Sequence, residues 1–488
     1  MRYHSTRNSQ KFVQPSEAVL QGLAEDGGLF VPDSLPQLDF RAWLNDSYQE
    51  MAQQIFEIFF SDLNANTIKE IIKNSYGNNF DHTDIVPTHW LDSQTGFLEL
   101  WHGPTLAFKD VALQFLPHLM QAAKKQMQDT KKVLILTATS GDTGKAAMEG
   151  FSGVEDFEVI VFYPYQGVSS FQKRQMLTRE SKNIRAIAVK GDFDTCQRGV
   201  KDLLVNSTFN QKMSELGYQL SSANSINIGR LIPQMIYYIF SYLQAVKAGH
   251  INYGENLNIV VPTGNFGNIL AACYSKEMGL PLGEIQLAAN QNNVLSDFLA
   301  SGIYDANREL IKTSSPSMDI LVASNLERYL YLKNPDSQWI NQIMLELKTN
   351  GIFSIDKDLL NISATWADEN ETSQAIAKVY KQYQYLIDPH TAVAYAVAQK
   401  MIEEKTTLIA STASPYKFME KILQSLQMEM PEDDWQAIQT ISKIMNSENP
   451  NIPDTVKKLW QIEQDQEIVI GKEKMSEAIQ NELLFNKK

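Results

Sequence analysis

An α/β fold with two parallel-sheet domains and a small N-terminal domain is what the sequence predicts, and three observations predict it. Apolar runs without alternation recur, as in VLILTAT, EVIVFYP and NIVVP, the pattern of strands covered on both faces. Each gives way to a polar loop and a helical segment, the order that builds parallel sheets flanked by helices. At 488 residues the chain is also longer than one hydrophobic core usually serves.

Composition is that of a globular protein, with 43% hydrophobic and 20% charged residues. A net charge of −14, with no basic stretch to neutralise phosphates, argues against a nucleic-acid partner. Cys196 and Cys273 are the two cysteines, with neither a disulfide framework nor metal-ligand spacing, so a reducing cytoplasm is the expected location. The opening MRYHSTRNSQKF lacks the apolar core of a signal peptide. Leu231 to Val246, the most apolar long stretch, is interrupted by Gln234 and Gln244 and falls short of the roughly 20 residues that span a bilayer, so no membrane segment is expected.

Residues 1–92 alternate turn-rich and helical pieces and read as the N-terminal domain. SEAVLQGLAEDGGLFVPDSLP passes through a Gly27-Gly28 turn into a short strand, and SYQEMAQQIFEIFF has helical spacing. An apolar stretch then ends in the turn His102-Gly103-Pro104-Thr105, and a helix follows whose apolar face is Val111, Leu113, Phe115 and Leu116. From Lys132 the order strand, loop, helix repeats: VLILTAT, SGDTG and KAAMEGF, then EVIVFYP with KRQMLTRE, then IRAIAVKG with TCQRGVKDLLVN. Ser221 to Val246 opens as a polar loop with capping residues and becomes a long helix. NIVVP runs into TGNFGNILAACYSKEMG, residues 290–385 read as an insertion, and the α/β order resumes at YLIDPHTAVAYAVAQKM and TLIASTASPYKFMEKIL. Residues 93–130 and 221–430 are thus expected to form the larger domain, 131–220 the smaller, and 431–488 a charged helical C-terminal segment.

Three places promise chemistry. Lys109 starts the helix after the 102–105 turn, flanked by Phe108 and Val111, where lost hydration lowers an amine's pKa and frees it to attack carbonyls, as a Schiff-base lysine does. The competing reading is a solvated helix lysine beside Asp110, which favours the helix N-terminus. Pro262-Thr263-Gly264-Asn265-Phe266-Gly267-Asn268 lies between a buried strand and a helix, where N–H groups and the helix dipole converge on an anion and glycines let backbone approach a phosphate. SGDTGK suggests a nucleotide loop, but that signature needs glycine at 139 and Ser or Thr at 146, and the chain has Thr139 and Ala146.

HGPTLAFKD closely resembles the cofactor-lysine motif of threonine synthases, pyridoxal-phosphate (PLP) enzymes of fold type II, the tryptophan synthase β-like fold. EAVLQGLAEDGGLFVP, TSGDTG, SANSINIGR, GNFGN, DPHTAVA and STASPYKF are also similar to stretches of that family, in its order. The resemblance implies that Lys109 holds PLP, that Gly264, Asn265, Phe266, Gly267 and Asn268 bind its phosphate, and that Thr412 faces its pyridine nitrogen. It puts Thr139, Ser140, Gly141, Asp142 and Thr143 at the substrate carboxylate. Asn224, Ser225, Asn227 and Arg230 offer donors for a phosphorylated substrate, Arg230 with a planar fork suited to phosphate. The family wording STAHPAKF is broken here by Ser414 and Tyr416, which puts in doubt any role of the missing histidine. The implied reaction turns O-phospho-L-homoserine and water into L-threonine and phosphate. A PLP lyase or β-replacement enzyme acting on serine-like substrates, or a catalytically silent homologue that binds a phosphorylated ligand, are the other readings, and monomer and homodimer both stay open.

Overall fold

The computed structural model describes residues 1–178, 181–401, 405–445 and 451–485, with residues 484 and 485 described by their backbone alone. The end of KRQMLTRE and part of the C-terminal segment lie outside the described residues.

Two sheets position everything else. The first has six strands, in the order Ser363–Trp366, Leu282–Ala289, Leu257–Pro262, Thr407–Ser411, Thr95–Glu99 and Thr88–Trp90. All neighbours are parallel except the last pair, which is antiparallel. At its centre Val260 lies beside Ile409, and Ile409 beside Phe97, all buried, which is why the sequence shows unbroken apolar runs here. The second sheet is wholly parallel, in the order Val469–Gly471, Ile184–Lys190, Phe157–Pro164, Lys132–Ala138 and Tyr218–Ser221. The largely buried helix Ile228–Lys247 packs against Gly267–Glu277 and against Tyr48–Phe59 of the N-terminal region. A small antiparallel sheet of Tyr3–Ser5, Asn8–Val13 and Phe30–Pro32 completes that region.

Two expectations need correction. Residues 431–488 are not only helical: Val469–Gly471 adds an edge strand to the second sheet, pairing Ile470 with Val189. Its three residues lie among charged neighbours, so no periodicity announced them. The Thr88–Trp90 strand, placed in the N-terminal domain, pairs with Thr95–Glu99 and so belongs to the six-stranded sheet. The 290–385 insertion supplies that sheet's other edge, Ser363–Trp366, and a short turn at Pro316–Met318 that reaches the site below. Among the described residues, no helix is long and apolar enough to cross a membrane.

Candidate active site

Three adjacent parallel strands end at one place. Thr95–Glu99 leads through the 102–105 turn to Lys109, Leu257–Pro262 into the glycine loop, and Thr407–Ser411 directly to Thr412. From the second sheet, Lys132–Ala138 leads to Asp142. Loops at the carboxyl ends of parallel strands commonly form ligand crevices. Here Lys109, Asp142, Thr143, Ser225, Arg230, Gly264, Asn265, Phe266, Gly267, Asn268 and Thr412 line one cleft of about 620 Å³.

Lys109 is set in place by its own turn. The Asp110 carboxylate accepts from Thr105 N–H at 2.8 Å and from its hydroxyl at 2.6 Å, and burial pushes the Asp110 carboxyl up to about 6. Phe108 N–H donates to Thr412 O at 2.9 Å and Ala107 bridges to Ala413, sewing the turn to the end of the central strand. Lys109 opens the helix Lys109–Leu113 with its amine 4.3 Å from the Phe108 ring centre and 3.5 Å from Asp142 Oδ2. Burial pulls the amine down to about 8 against the opposing pull of Asp142, and Arg230 and Lys417 lower it further.

Asp142 is the hub of a buried ion cluster. Its Oδ1 meets Lys417 Nζ at 2.9 Å and Gln172 Nε2 at 2.8 Å, and its Oδ2 accepts from Ser317 Oγ at 3.2 Å. Burial alone would raise this carboxyl, but the cations, Lys417 foremost, hold it far below the usual carboxylate range. As a carboxylate so paired, it is unsuited to bind a substrate carboxylate. Thr143, next in the helix Asp142–Gly150, lines the same cleft.

The glycine loop is cramped by design. A Cβ on Gly264 would come within 2.2 Å of Ser317 O, and Phe266 takes φ 63° to turn into the helix Gly267–Glu277, whose first N–H groups have no intrahelical carbonyl. Asn268 Oδ1 accepts from Tyr237 Oη at 2.7 Å and from Tyr238 Oη, while its buried Nδ2 has no partner among the described residues. Arg230, 2% exposed, donates from one terminal nitrogen to Ala223 O at 2.6 Å, and its Nε has no partner among the described residues. Burial lowers the guanidinium to about 10.

Not every expected residue reaches the cleft. Thr139 Oγ1 accepts from Gly141 N–H and Gly144 N–H, and Gly141, at φ 133°, starts the following helix. Asn224 grips the backbone of Ala138, and Asn227 caps Ile228–Lys247 and donates to Val19 O and Ser222 O. These polar groups are consumed in shaping loops. Ser140 lines a neighbouring cleft with Pro316 and Asp319. Ser414 and Tyr416 are buried outside the lining.

Sequence reasoning missed three members. His390 lines the cleft, its Nδ1 2.8 Å from Asp388 Oδ1 and its Nε2 accepting from Ser317 N–H at 3.3 Å. The Asp-x-His spacing in DPHTAVA was a usable sign, because Asp388 caps the helix and holds the ring at once. Lys417 lies in STASPYKF, where the family wording STAHPAKF also has a lysine, but attention stayed on Thr412; Ser317 gave no local signal.

A buried lysine facing a phosphate-sized glycine loop in a parallel α/β frame defines a PLP enzyme of fold type II, and residues 82–412 match the family described as "Pyridoxal-phosphate dependent enzyme". Residues 2–76 match "Threonine synthase N terminus". Over 467 residues the chain is 36% identical to threonine synthase of Saccharomyces cerevisiae, covering 87% of this chain and 89% of that one. The crystal structure of threonine synthase from yeast superposes with a TM-score of 0.85 at 33% identity, and that of PLP-bound threonine synthase from Brucella melitensis with 0.83 at 33%, each covering 99% of both chains. The chain belongs to the threonine synthase family, and its cofactor is pyridoxal phosphate. It is also 42% identical to human "Threonine synthase-like 1" over 435 residues, 85% of this chain but 58% of that protein's length. The orphan donors Arg230 Nε and Asn268 Nδ2, together with the close backbone at Gly264, fit a phosphorylated ligand.

Proposed function

We propose that the protein converts O-phospho-L-homoserine and water to L-threonine and phosphate, the last step of threonine biosynthesis. One observation carries this beyond cofactor binding: Arg230 is buried in the cleft wall with no carboxylate partner among the described residues, since Asp142, the acid among the described lining residues, already serves Lys417 and Lys109. An unpaired buried guanidinium is costly unless a ligand brings an anion. Gly264 to Asn268 serve the cofactor's phosphate, so Arg230 with Ser225 is left for a phosphate on the substrate.

Bound PLP supplies the electron sink that lets a proton leave the substrate's Cα. Lys109, its amine eased out of the charged state by burial, would hold the cofactor and, once freed, would move protons at Cα, Cβ and Cγ. Thr143 and the adjoining backbone hold the α-carboxylate. Arg230 would steady the phosphate that leaves from Cγ; a proton removed at Cβ would be made good at Cγ, giving the methyl group, and water would then add at Cβ. Thr412, which lines the cleft, would meet the cofactor's pyridine nitrogen, where a hydroxyl in place of a carboxylate would leave that nitrogen largely unprotonated.

The test is product analysis with PLP present: phosphate and threonine released one for one from O-phospho-L-homoserine, faster than deamination of serine or threonine. Faster deamination would overturn this reading in favour of a lyase acting on serine-like substrates.

A further inference from the structure

Lys417 does something the reaction scheme leaves unused. It is a wholly buried ammonium with a relative exposure of 0%. Its Nζ meets Asp142 Oδ1 at 2.9 Å, Thr105 O at 2.9 Å and Gln175 Oε1 at 3.0 Å, which accounts for all three of its N–H donors. A lysine so saturated has no donor left for a ligand. Its three acceptors come from the Lys109 turn, the helix Ser170–Leu177 and the loop that starts Asp142–Gly150. We propose that Lys417 is a positioning residue: it clamps the Asp142 carboxylate beside the Lys109 nitrogen, and the pair sets the protonation state of that nitrogen in the resting enzyme.

The chemistry needs such a device. Lys109 must be unprotonated to attack an aldehyde, yet the same nitrogen, once joined to the cofactor, activates it best when protonated. One carboxylate 3.5 Å away favours the proton, and a cation on that carboxylate's far oxygen tempers the pull. Gln172 on one oxygen and Ser317 on the other keep the carboxylate from rotating. The other charged or titratable groups acting here are Arg230 from Ile228–Lys247, His390 from Pro389–Ala398, and Asp110, which follows Lys109 and is held by Thr105. Of these groups, only Lys417 and Lys109 form ion pairs with Asp142.

This inference rests on Lys109 being the cofactor lysine. The experiment is a pH titration of the holoenzyme's absorption spectrum, which reads the midpoint at which the lysine–cofactor linkage loses its proton. Asp142→Asn leaves Lys417 and Arg230 unopposed, so the midpoint falls, by about 1 to 3 pH units for a lost charge at this range. Lys417→Met leaves the carboxylate untempered, so the midpoint rises. The double variant falls between the two single ones. An unchanged midpoint in Asp142→Asn overturns the proposal even if the Lys417 variant does not fold, and so does a shift of both single variants in the same direction. A wild type without a spectral band from Lys109 would overturn the cofactor reading itself, and this inference with it. A spectrum that shifts as stated without threonine formation would spare this pair and overturn only the choice of substrate.

Discussion

Lys109 sits between opposing influences, burial on one side and Asp142 on the other, and burial prevails, leaving its amine at about 8, close enough to neutrality for exchange. Lys109→Ala should bind PLP without the visible band of a covalently held cofactor and should lose turnover. Absorbance after gel filtration checks this, and a retained band would place the attachment elsewhere. Arg230→Ala should raise KM for O-phosphohomoserine about 10- to 100-fold, the worth of a charge-assisted hydrogen bond, while PLP stays bound. Arg230→Lys should restore only part, because a point charge replaces a planar fork. A KM left unmoved would keep the family and refute this residue's role. Away from the cleft, His102 is held between Asp81 at 2.5 Å and Glu99 at 2.7 Å, and although burial opposes the charge, the two carboxylates raise it from 6.5 to about 9. Since the folded value exceeds the unfolded one, this stabilisation is complete below about pH 6.5 and disappears as pH rises through about 9. Thermal unfolding of His102→Gln should therefore show a larger loss near pH 6 than near pH 10. An equal loss at both would mean that the ring acts by packing.

Loops between strand ends and helices give the site its parts, and they differ in how openly the sequence shows them. The glycine loop and the Lys109 turn were legible because their chemistry is local: two glycines after a buried strand, and a lysine between Phe108 and Val111. Asn224 and Asn227 misled for the same reason. Both sit in a donor-rich stretch, but whether an amide faces a ligand or a carbonyl is decided by a partner far away, Val19 in the case of Asn227. Ser317 was invisible because it meets the site from within the irregular insertion, and Lys417, although in the same motif as Thr412, was missed because its partner Asp142 comes from the other sheet. That approach is itself testable, since the turn at Pro316–Met318 closes over Gly264. Gly264→Ala forces a methyl against Ser317 O, which is backbone and slow to yield, so overpacking of about 1 to 3 kcal/mol is expected together with weakened PLP affinity. A spectroscopic titration of the cofactor checks this, and unchanged affinity would show that the turn moves freely.

At the scale of the whole molecule, the α/β reading survives because the apolar runs were long and buried on both faces, while the short edge strands Val469–Gly471 and Thr88–Trp90 escaped it. One sheet contributes Lys109, the glycine loop and Thr412, the other contributes Asp142, and the insertion closes the space with Ser317. In the proposed reaction this cleft breaks a carbon–oxygen bond at Cγ and adds water at Cβ. The most direct measurement is turnover of O-phospho-L-homoserine in ¹⁸O-labelled water, with mass analysis of both products. Elimination followed by water addition predicts the label in the threonine hydroxyl and none newly gained by phosphate. Labelled phosphate accompanied by unlabelled homoserine would show hydrolysis at phosphorus and contradict the account.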